Sequence, residues 1–103
     1  VTGVQTCALP ISPGVHGCWA GPADLALSMG IHPNHTAEDD RHRRALERIV
    51  QACHNTGTAP GIACGSPEEA IARRDMGFRF LTAGSDSTFM TNGAVAGLKA
   101  LRA

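Results

Sequence analysis

The chain has 103 residues, a formal net charge of zero and a hydrophobic content of 43%. This length suits one small domain, and the composition is that of a globular chain rather than a disordered one. The neutral balance argues against a nucleic-acid or anionic-membrane partner bound through bulk charge, and no stretch approaches the roughly 18 apolar residues of a transmembrane helix.

The four cysteines include no Cys-x-x-Cys pair. This arrangement indicates neither a zinc framework nor a disulfide scaffold, so we expect reduced thiols in a cytoplasmic protein. Cys18, Cys53 and Cys64 are predicted to act as small buried hydrophobes.

The N-terminal segment, residues 1–12, does not fit the rest of the chain. It lacks a starting Met and the basic region of a signal peptide. Residues 1–11 resemble the in-frame translation of a sequencing-library adapter. We therefore predict that the segment, with Cys7, is non-native and that the protein's own N-terminal part is missing. The alternative is a genuine irregular or strand-like N-terminus.

The stretch from Gly14 to Gly30 is predicted to form a strand, a tight turn and a short helix. Its apolar run, residues 15–20, predicts a buried strand; Gly21-Pro22 ends that strand, and residues 23–27 predict a short helix. Asp24 therefore lies just past the C-terminal end of a strand, where α/β folds bind ligands. From the residues alone, the Asp24 carboxylate is either a helix N-cap, which is favoured, or a ligand for Mg²⁺ or Mn²⁺.

The next unit is predicted as a polar loop over residues 30–35, a helix opened by Thr36 as its cap and closed by Gly57, and a strand over residues 59–64. The helix carries one apolar stripe at helical spacing, formed by Ala45, Leu46, Ile49, Val50 and Cys53.

The last unit begins with Ser66 as a helix cap and Glu69 three residues later, a capping-box pattern. A third strand is predicted over residues 78–83. Ser85 and Asp86 follow it, and we interpret them as the cap of the last helix rather than as a site wall. The apolar positions of that helix are Phe89, Met90, Ala94, Leu98 and Leu101. Three alternating strands and helices predict a parallel α/β sheet.

The histidines carry weaker predictions. His32 and His35 have the spacing of a metal pair, but a solvated loop is the favoured interpretation. His16 is expected to be a structural residue of the first strand. His54 is expected to lie at a helix end, where it suits the negative dipole terminus.

Three motifs carry a family resemblance. They are residues 21–25 with Ser-Met-Gly at 28–30, residues 60–70, and residues 77–86. Together they resemble the HpcH/HpaI aldolases, which are class II, metal-dependent pyruvate aldolases on a TIM barrel. Since a full (β/α)₈ barrel needs about 250 residues, the resemblance implies that residues 13–103 are a partial TIM-barrel domain, the C-terminal three βα units.

The resemblance also implies a function. The reaction would be aldol cleavage or condensation of 4-hydroxy-2-oxo acids, giving pyruvate and an aldehyde, with Mg²⁺ or Mn²⁺ as cofactor. Asp24 would hold the metal with a Glu that this chain lacks, and Gly21, Ala23 and Asp24 would bind pyruvate. The catalytic His and Arg are expected in the missing part.

Family members are oligomers, so a homo-oligomer is expected for the full-length protein. For the 103-residue chain alone we predict no turnover and an aggregation-prone or molten state. The alternatives are an enzyme of the citrate lyase β or malyl-CoA lyase type, or a non-catalytic α/β binding module.

Overall fold

The computed structural model describes residues 13–103. The predicted adapter-derived segment, with Cys7, lies outside these residues. Strands and helices alternate in the order β1 (Gly17–Ala20), α1 (Pro22–Ser28), a 3-10 helix (Pro33–Glu38), α2 (Asp40–Thr56), β2 (Ala59–Ile62), α3 (Pro67–Met76), β3 (Phe80–Leu81) and α4 (Asp86–Arg102). No helix in this part of the chain is long and apolar enough to cross a bilayer.

The strands form one parallel sheet in the order β1-β2-β3. The predicted α/β class and parallel pairing are confirmed, but each strand is shorter than predicted. For β3, Pro60 supplies a physical reason. The carbonyl of Pro60 accepts the Arg79 N–H at 2.8 Å, so its nitrogen also faces the β3 side. Because proline has no N–H, β2 donates no ladder bond there, and β3 begins only at Phe80.

The segment between α1 and α2 differs from the prediction. A 3-10 helix, Pro33–Glu38, takes up the second half of the predicted loop over residues 30–35 and the predicted start of the helix at Thr36. Its N-cap is His32, whose Nδ1 accepts the Asn34 N–H at 3.2 Å. The cap of α2 is Asp39, which accepts the Arg41 N–H at 2.9 Å, so the prediction of Thr36 as cap was wrong. Thr36 already belongs to the 3-10 helix, which delays the start of α2.

The core lies between α2 and one face of the sheet. The predicted stripe of α2 is confirmed, with Leu46, Ile49 and Cys53 buried and its two flanking members half-buried. The strands and the segments that flank them complete the cluster with Ala20, Ile62, Cys64 and Phe78. Cys53 and Cys64 are buried as predicted, whereas Cys18 is only half-buried.

The opposite face of the sheet is open. Trp19, Gly61 and Phe80 lie in one row across the three strands. The Trp19 and Phe80 rings form an edge-to-face pair with centroids 5.2 Å apart, and they are 49% and 66% exposed. A Cβ on Gly61 would lie 2.8 Å from Cε3 of Trp19, so only glycine fits beneath this pair.

The last helix, α4, buries none of its residues. All five apolar positions predicted for it are exposed, with Leu101 at 85%. The chain is accordingly extended, with a Cα radius of gyration of 16.2 Å against about 13 Å for a compact domain of about 100 residues. Two apolar surfaces, the open sheet face and α4, are therefore left without cover from residues 13–103.

We expect the 103-residue chain to self-associate, because contiguous apolar surface of this kind promotes association. Sedimentation velocity across a concentration series measures it. The double variant Met90→Glu/Leu98→Glu should shift the distribution towards smaller species, since both positions are exposed on α4. A monodisperse wild-type monomer with a sharp thermal transition would contradict this expectation.

A second prediction concerns the core thiols. Burial, with a smaller contribution from Cys18, raises the pKa of the Cys53 thiol to about 11, and burial also raises the pKa of Cys64. In a Cys7→Ser background at pH 8, iodoacetamide should label Cys18 before the other two, and labelling of Cys53 should rise as the pH approaches its raised pKa. Peptide mass spectrometry measures this order. Equal labelling of all three thiols at pH 8 would show that the core does not form.

Candidate functional site

The carboxyl ends of the three strands open onto one cavity. Because the strands are parallel, the segments after Ala20, Ile62 and Leu81 reach the same edge of the sheet. Ligands bind at this edge in α/β folds. A cavity of about 430 Å³ lies there, lined by residues that follow the three strands together with residues of the flanking helices: Pro22, Ala23, Pro33, Thr36, Ala63, Cys64, Gly65, Glu69, Arg73, Thr82, Gly84, Ser85 and Thr88.

The turn after β1 runs from Gly21 to Asp24. Gly21 is the N-cap of α1 with extended backbone angles and no side-chain cap bond, and Pro22 occupies the first helical position. Asp24 lies in the first helical turn, as the sequence predicted, but the cap is Gly21. The favoured interpretation of Asp24 as N-cap was therefore wrong.

The Asp24 carboxylate folds back over this turn. A Cβ built on Gly21 would lie 3.0 Å from Oδ2 of Asp24, so glycine makes room for the carboxylate. The residue is exposed, and its carboxylate makes no hydrogen bond or ion pair within residues 13–103. Asp24 therefore presents free oxygen atoms at the carboxyl edge of the sheet. It does not belong to the cavity lining, whereas its neighbours Pro22 and Ala23 do.

The start of α1 also presents backbone donors. The Leu25 N–H bonds the Gly21 carbonyl at 2.9 Å, closing the first turn. The N–H groups of Ala23 and Asp24 precede that bond and belong to the set that a helix N-terminus leaves without an intrahelical acceptor. Donors of this kind favour an anion such as a carboxylate.

Thr82 ties the ends of β2 and β3 together. Its Oγ1 accepts the Cys64 N–H at 2.9 Å and donates to the Cys64 carbonyl at 3.1 Å. One hydroxyl thus satisfies both backbone groups of a residue beyond the last paired position of β2. This bridge orders the bottom of the cavity, and no local pattern predicts it because it joins residues 18 positions apart.

Two predicted caps border the cavity. Ser66 accepts the Glu69 N–H at 3.1 Å, as predicted, while Glu69 accepts the Gly65 N–H at 2.8 Å instead of completing a box with Ser66. Ser85 forms a full capping box with Thr88 at the start of α4. Both Ser85 and Thr88 line the cavity as well. Asp86 does not line it, and its carboxylate accepts the Ser87 N–H at 2.8 Å.

Sequence reasoning missed Arg73 of α3. Its side chain is 20% exposed and lines the cavity, and its Nε is buried without a hydrogen-bond partner within residues 13–103. Nη1 donates to the Met76 sulfur at 3.3 Å, and Nη2 lies 4.0 Å from Glu69 Oε1. An arginine on an otherwise charged helix surface carries no sequence pattern that marks it as inward-facing.

His42 was also missed as a site residue. It is 2% exposed, and its Nε2 lies 2.9 Å from the carbonyl oxygen of Pro22. A pattern did exist for this burial, because His42 lies one helical turn before Leu46 and continues the apolar stripe of α2. The helix thereby reaches the turn that carries Asp24.

The remaining histidine predictions concern His16, His32, His35 and His54. The rings of His32 and His35 lie with their centroids 5.2 Å apart and their planes inclined by 51°, and within residues 13–103 no group of three or more His, Cys, Asp or Glu could hold a metal ion. His16 precedes β1 and is exposed, so its placement inside the strand was wrong; its carbonyl accepts the Ala59 N–H at 3.0 Å. His54 lies in the last turn of α2, as predicted.

The chain is similar in sequence to known aldolases. A hydroxypyruvate/pyruvate aldolase of Paraburkholderia phytofirmans is 36% identical over 94 residues, which cover 88% of this chain and 34% of the relative. A 4-hydroxy-2-oxo-heptane-1,7-dioate aldolase of Salmonella arizonae is 36% identical over 87 residues, which cover 81% of this chain and 31% of the relative. The chain spans about a third of the length of the curated relatives it matches. No family model matches it.

A solved structure agrees over nearly the whole chain. It is that of an HpcH/HpaI aldolase/citrate lyase family protein from Burkholderia cenocepacia, with a TM-score of 0.88 and 27% identity, covering 98% of this chain and 38% of that protein. The chain is homologous to part of an HpcH/HpaI aldolase. The predicted family resemblance is thus confirmed, and the three βα units correspond to part of the TIM barrel of that family.

A matched pair of variants tests the Thr82 bridge. Thr82→Val removes the hydroxyl and leaves the Cys64 N–H without its acceptor, so we expect a loss of about 1 kcal/mol in the free energy of unfolding. Thr82→Ser keeps the hydroxyl and should lose much less. Chemical denaturation measures both, and amide exchange at Cys64 localises the effect. A Thr82→Val variant as stable as wild type would contradict the bridge.

Proposed function

We propose that this chain supplies part of the active site of a metal-dependent pyruvate aldolase. The reaction is the reversible cleavage of a 4-hydroxy-2-oxo acid to pyruvate and an aldehyde. The observation that carries the proposal is the turn from Gly21 to Asp24, which presents a free carboxylate beside uncapped backbone donors at the carboxyl edge of the sheet. The aldolase names of the relatives support the same reaction.

The chemistry of Asp24 fits a divalent cation. Mg²⁺ and Mn²⁺ prefer oxygen ligands, and the exposed carboxylate of Asp24 has no competing partner within residues 13–103. One carboxylate holds such an ion weakly, so further ligands are required from outside these residues. When bound, the ion would supply Lewis-acid polarisation of the oxo group.

The residues of this chain bind and orient the oxo acid. Its carboxylate would accept hydrogen bonds from the Ala23 and Asp24 N–H groups at the start of α1. Gly21, which lacks a side chain, keeps the approach to these donors open. The adjoining cavity, about 430 Å³ in volume, has room for the remainder of a small oxo acid.

A second candidate concerns the substrate. The solved relative belongs to a family named for both aldolases and citrate lyases. A lyase acting on a longer acyl thioester, of the citrate lyase β or malyl-CoA lyase type, would use the same turn for the oxo or carboxylate end. The aldolase takes precedence because the sequence relatives carry that name.

We also propose that the complete enzyme is a homo-oligomer. The support is the last helix, α4, whose apolar side chains all face outward. A second subunit would cover this surface and so remove the unfavourable contact of its apolar side chains with water.

A chimera tests the aldolase proposal. The matched segment of the Paraburkholderia phytofirmans relative would be replaced by residues 13–103, and pyruvate release from 4-hydroxy-2-oxo acids would be followed with lactate dehydrogenase. We expect activity that EDTA removes and Mg²⁺ or Mn²⁺ restores. Asp24→Asn should lower kcat/KM by about a hundredfold or more, which corresponds to about 2.8 kcal/mol, because it removes the one charged metal ligand that we assign to this chain.

The matched control is Glu68→Gln, which neutralises an exposed first-turn carboxylate on the neighbouring helix α3. It should leave kcat/KM unchanged. A folded chimera with cleavage of malyl-type thioesters alone would favour the second candidate. A folded chimera in which Asp24→Asn behaves like Glu68→Gln would contradict the proposal for Asp24.

A further inference from the structure

His42 joins the core helix α2 to the turn that carries Asp24. Its Nε2 and the Pro22 carbonyl oxygen are 2.9 Å apart, and the two residues are 20 positions apart in the chain. A carbonyl oxygen can only accept, so Nε2 carries the hydrogen and donates it. We propose that His42 is a positioning residue that holds the turn from Gly21 to Asp24. The importance of His42 for catalysis rests on the proposed function. Its stabilisation of the turn through the hydrogen bond to Pro22 does not depend on that function.

The turn depends on this hydrogen bond because helix α1, which follows it, has little stability of its own. Helix α1 has seven residues, and its N-cap, Gly21, has no side chain to bond the first-turn N–H groups. Helices this short are marginal in water without tertiary support. A side-chain donor from another element therefore adds order where α1 supplies little.

His42 lies on the buried side of α2, so its hydrogen bond attaches the turn to the packed core. Asp39 caps helix α2 by accepting the Arg41 N–H, and Leu46, one turn beyond His42, is fully buried. The ring of His42 is 2% exposed, so its bond to Pro22 has little competition from water. An apolar side chain of similar size would fill the space but leave the carbonyl without this donor.

Two substitutions separate the effect of the hydrogen bond from the effect of side-chain volume. His42→Gln keeps an N–H donor at the same reach along the side chain, and His42→Leu keeps an apolar volume without a donor. Thr58→Val is the matched control, because Thr58 is a buried polar residue just beyond the opposite end of α2. Hydrogen exchange of the 103-residue chain, read by mass spectrometry on peptides covering residues 20–30, is the measurement.

We expect His42→Leu to accelerate exchange in residues 20–30 by about fivefold, the effect of one net hydrogen bond. His42→Gln should restore most of the protection, and Thr58→Val should leave it unchanged. Equal protection in wild type and His42→Leu would overturn the proposal. So would uniform acceleration along the whole chain in both His42 variants, or unprotected exchange of residues 20–30 in wild type.

Kinetics of the chimera distinguish this proposal from the aldolase proposal. His42→Leu should raise KM for the oxo acid more than it lowers kcat, because it loosens binding groups, and His42→Gln should reverse the effect. An inactive chimera with the expected exchange pattern would support the positioning role of His42 and count against the aldolase function alone. Wild-type kinetics in His42→Leu would show that the hold does not serve catalysis.

Discussion

Parallel pairing of β2 with both of its neighbours is the constraint on which the rest of the structure depends. It directs the three segments that follow the strands to one edge, where the Asp24 turn, the Thr82 bridge and the capped helix starts surround a single cavity. An antiparallel neighbour would send its following segment to the opposite edge. The site is therefore a product of strand direction first and of side-chain chemistry second.

The packing of the chain is strongly one-sided. Helix α2 covers one face of the sheet with its apolar stripe, while the row of Trp19, Gly61 and Phe80 on the other face stays open. In an intact TIM barrel the face away from the helices is the packed interior. The exposed aromatic row is thus the surface on which the remainder of such a barrel would pack.

Much of this architecture was predictable because its causes are local. The stripe of α2, the caps at Ser66 and Ser85 and the position of Asp24 after a strand follow from periodicity and turn chemistry within a few residues. The missed features depend on partners distant in sequence. Strand length depended on Pro60 facing β3, and the Thr82 bridge depended on the register of two strands.

The burial of polar side chains was the least predictable feature. Arg73 and His42 both lie on helices with many exposed charges, and only the packing of α3 and α2 turns them inward. His42 did continue the apolar stripe, so a polar residue in register with a buried stripe is a usable indication of a tertiary hydrogen bond. Arg73 had no such register.

The aromatic row has a consequence for how this sequence can vary. Trp19, Gly61 and Phe80 come from three different strands, yet a methyl group on Gly61 would press on the Trp19 ring at 2.8 Å and on the Phe80 backbone oxygen at 3.2 Å. A larger side chain at position 61 therefore becomes tolerable only after position 19 has become smaller. Positions 19 and 61 should therefore change together in descendants of this sequence, with substitutions at 61 following losses of the indole.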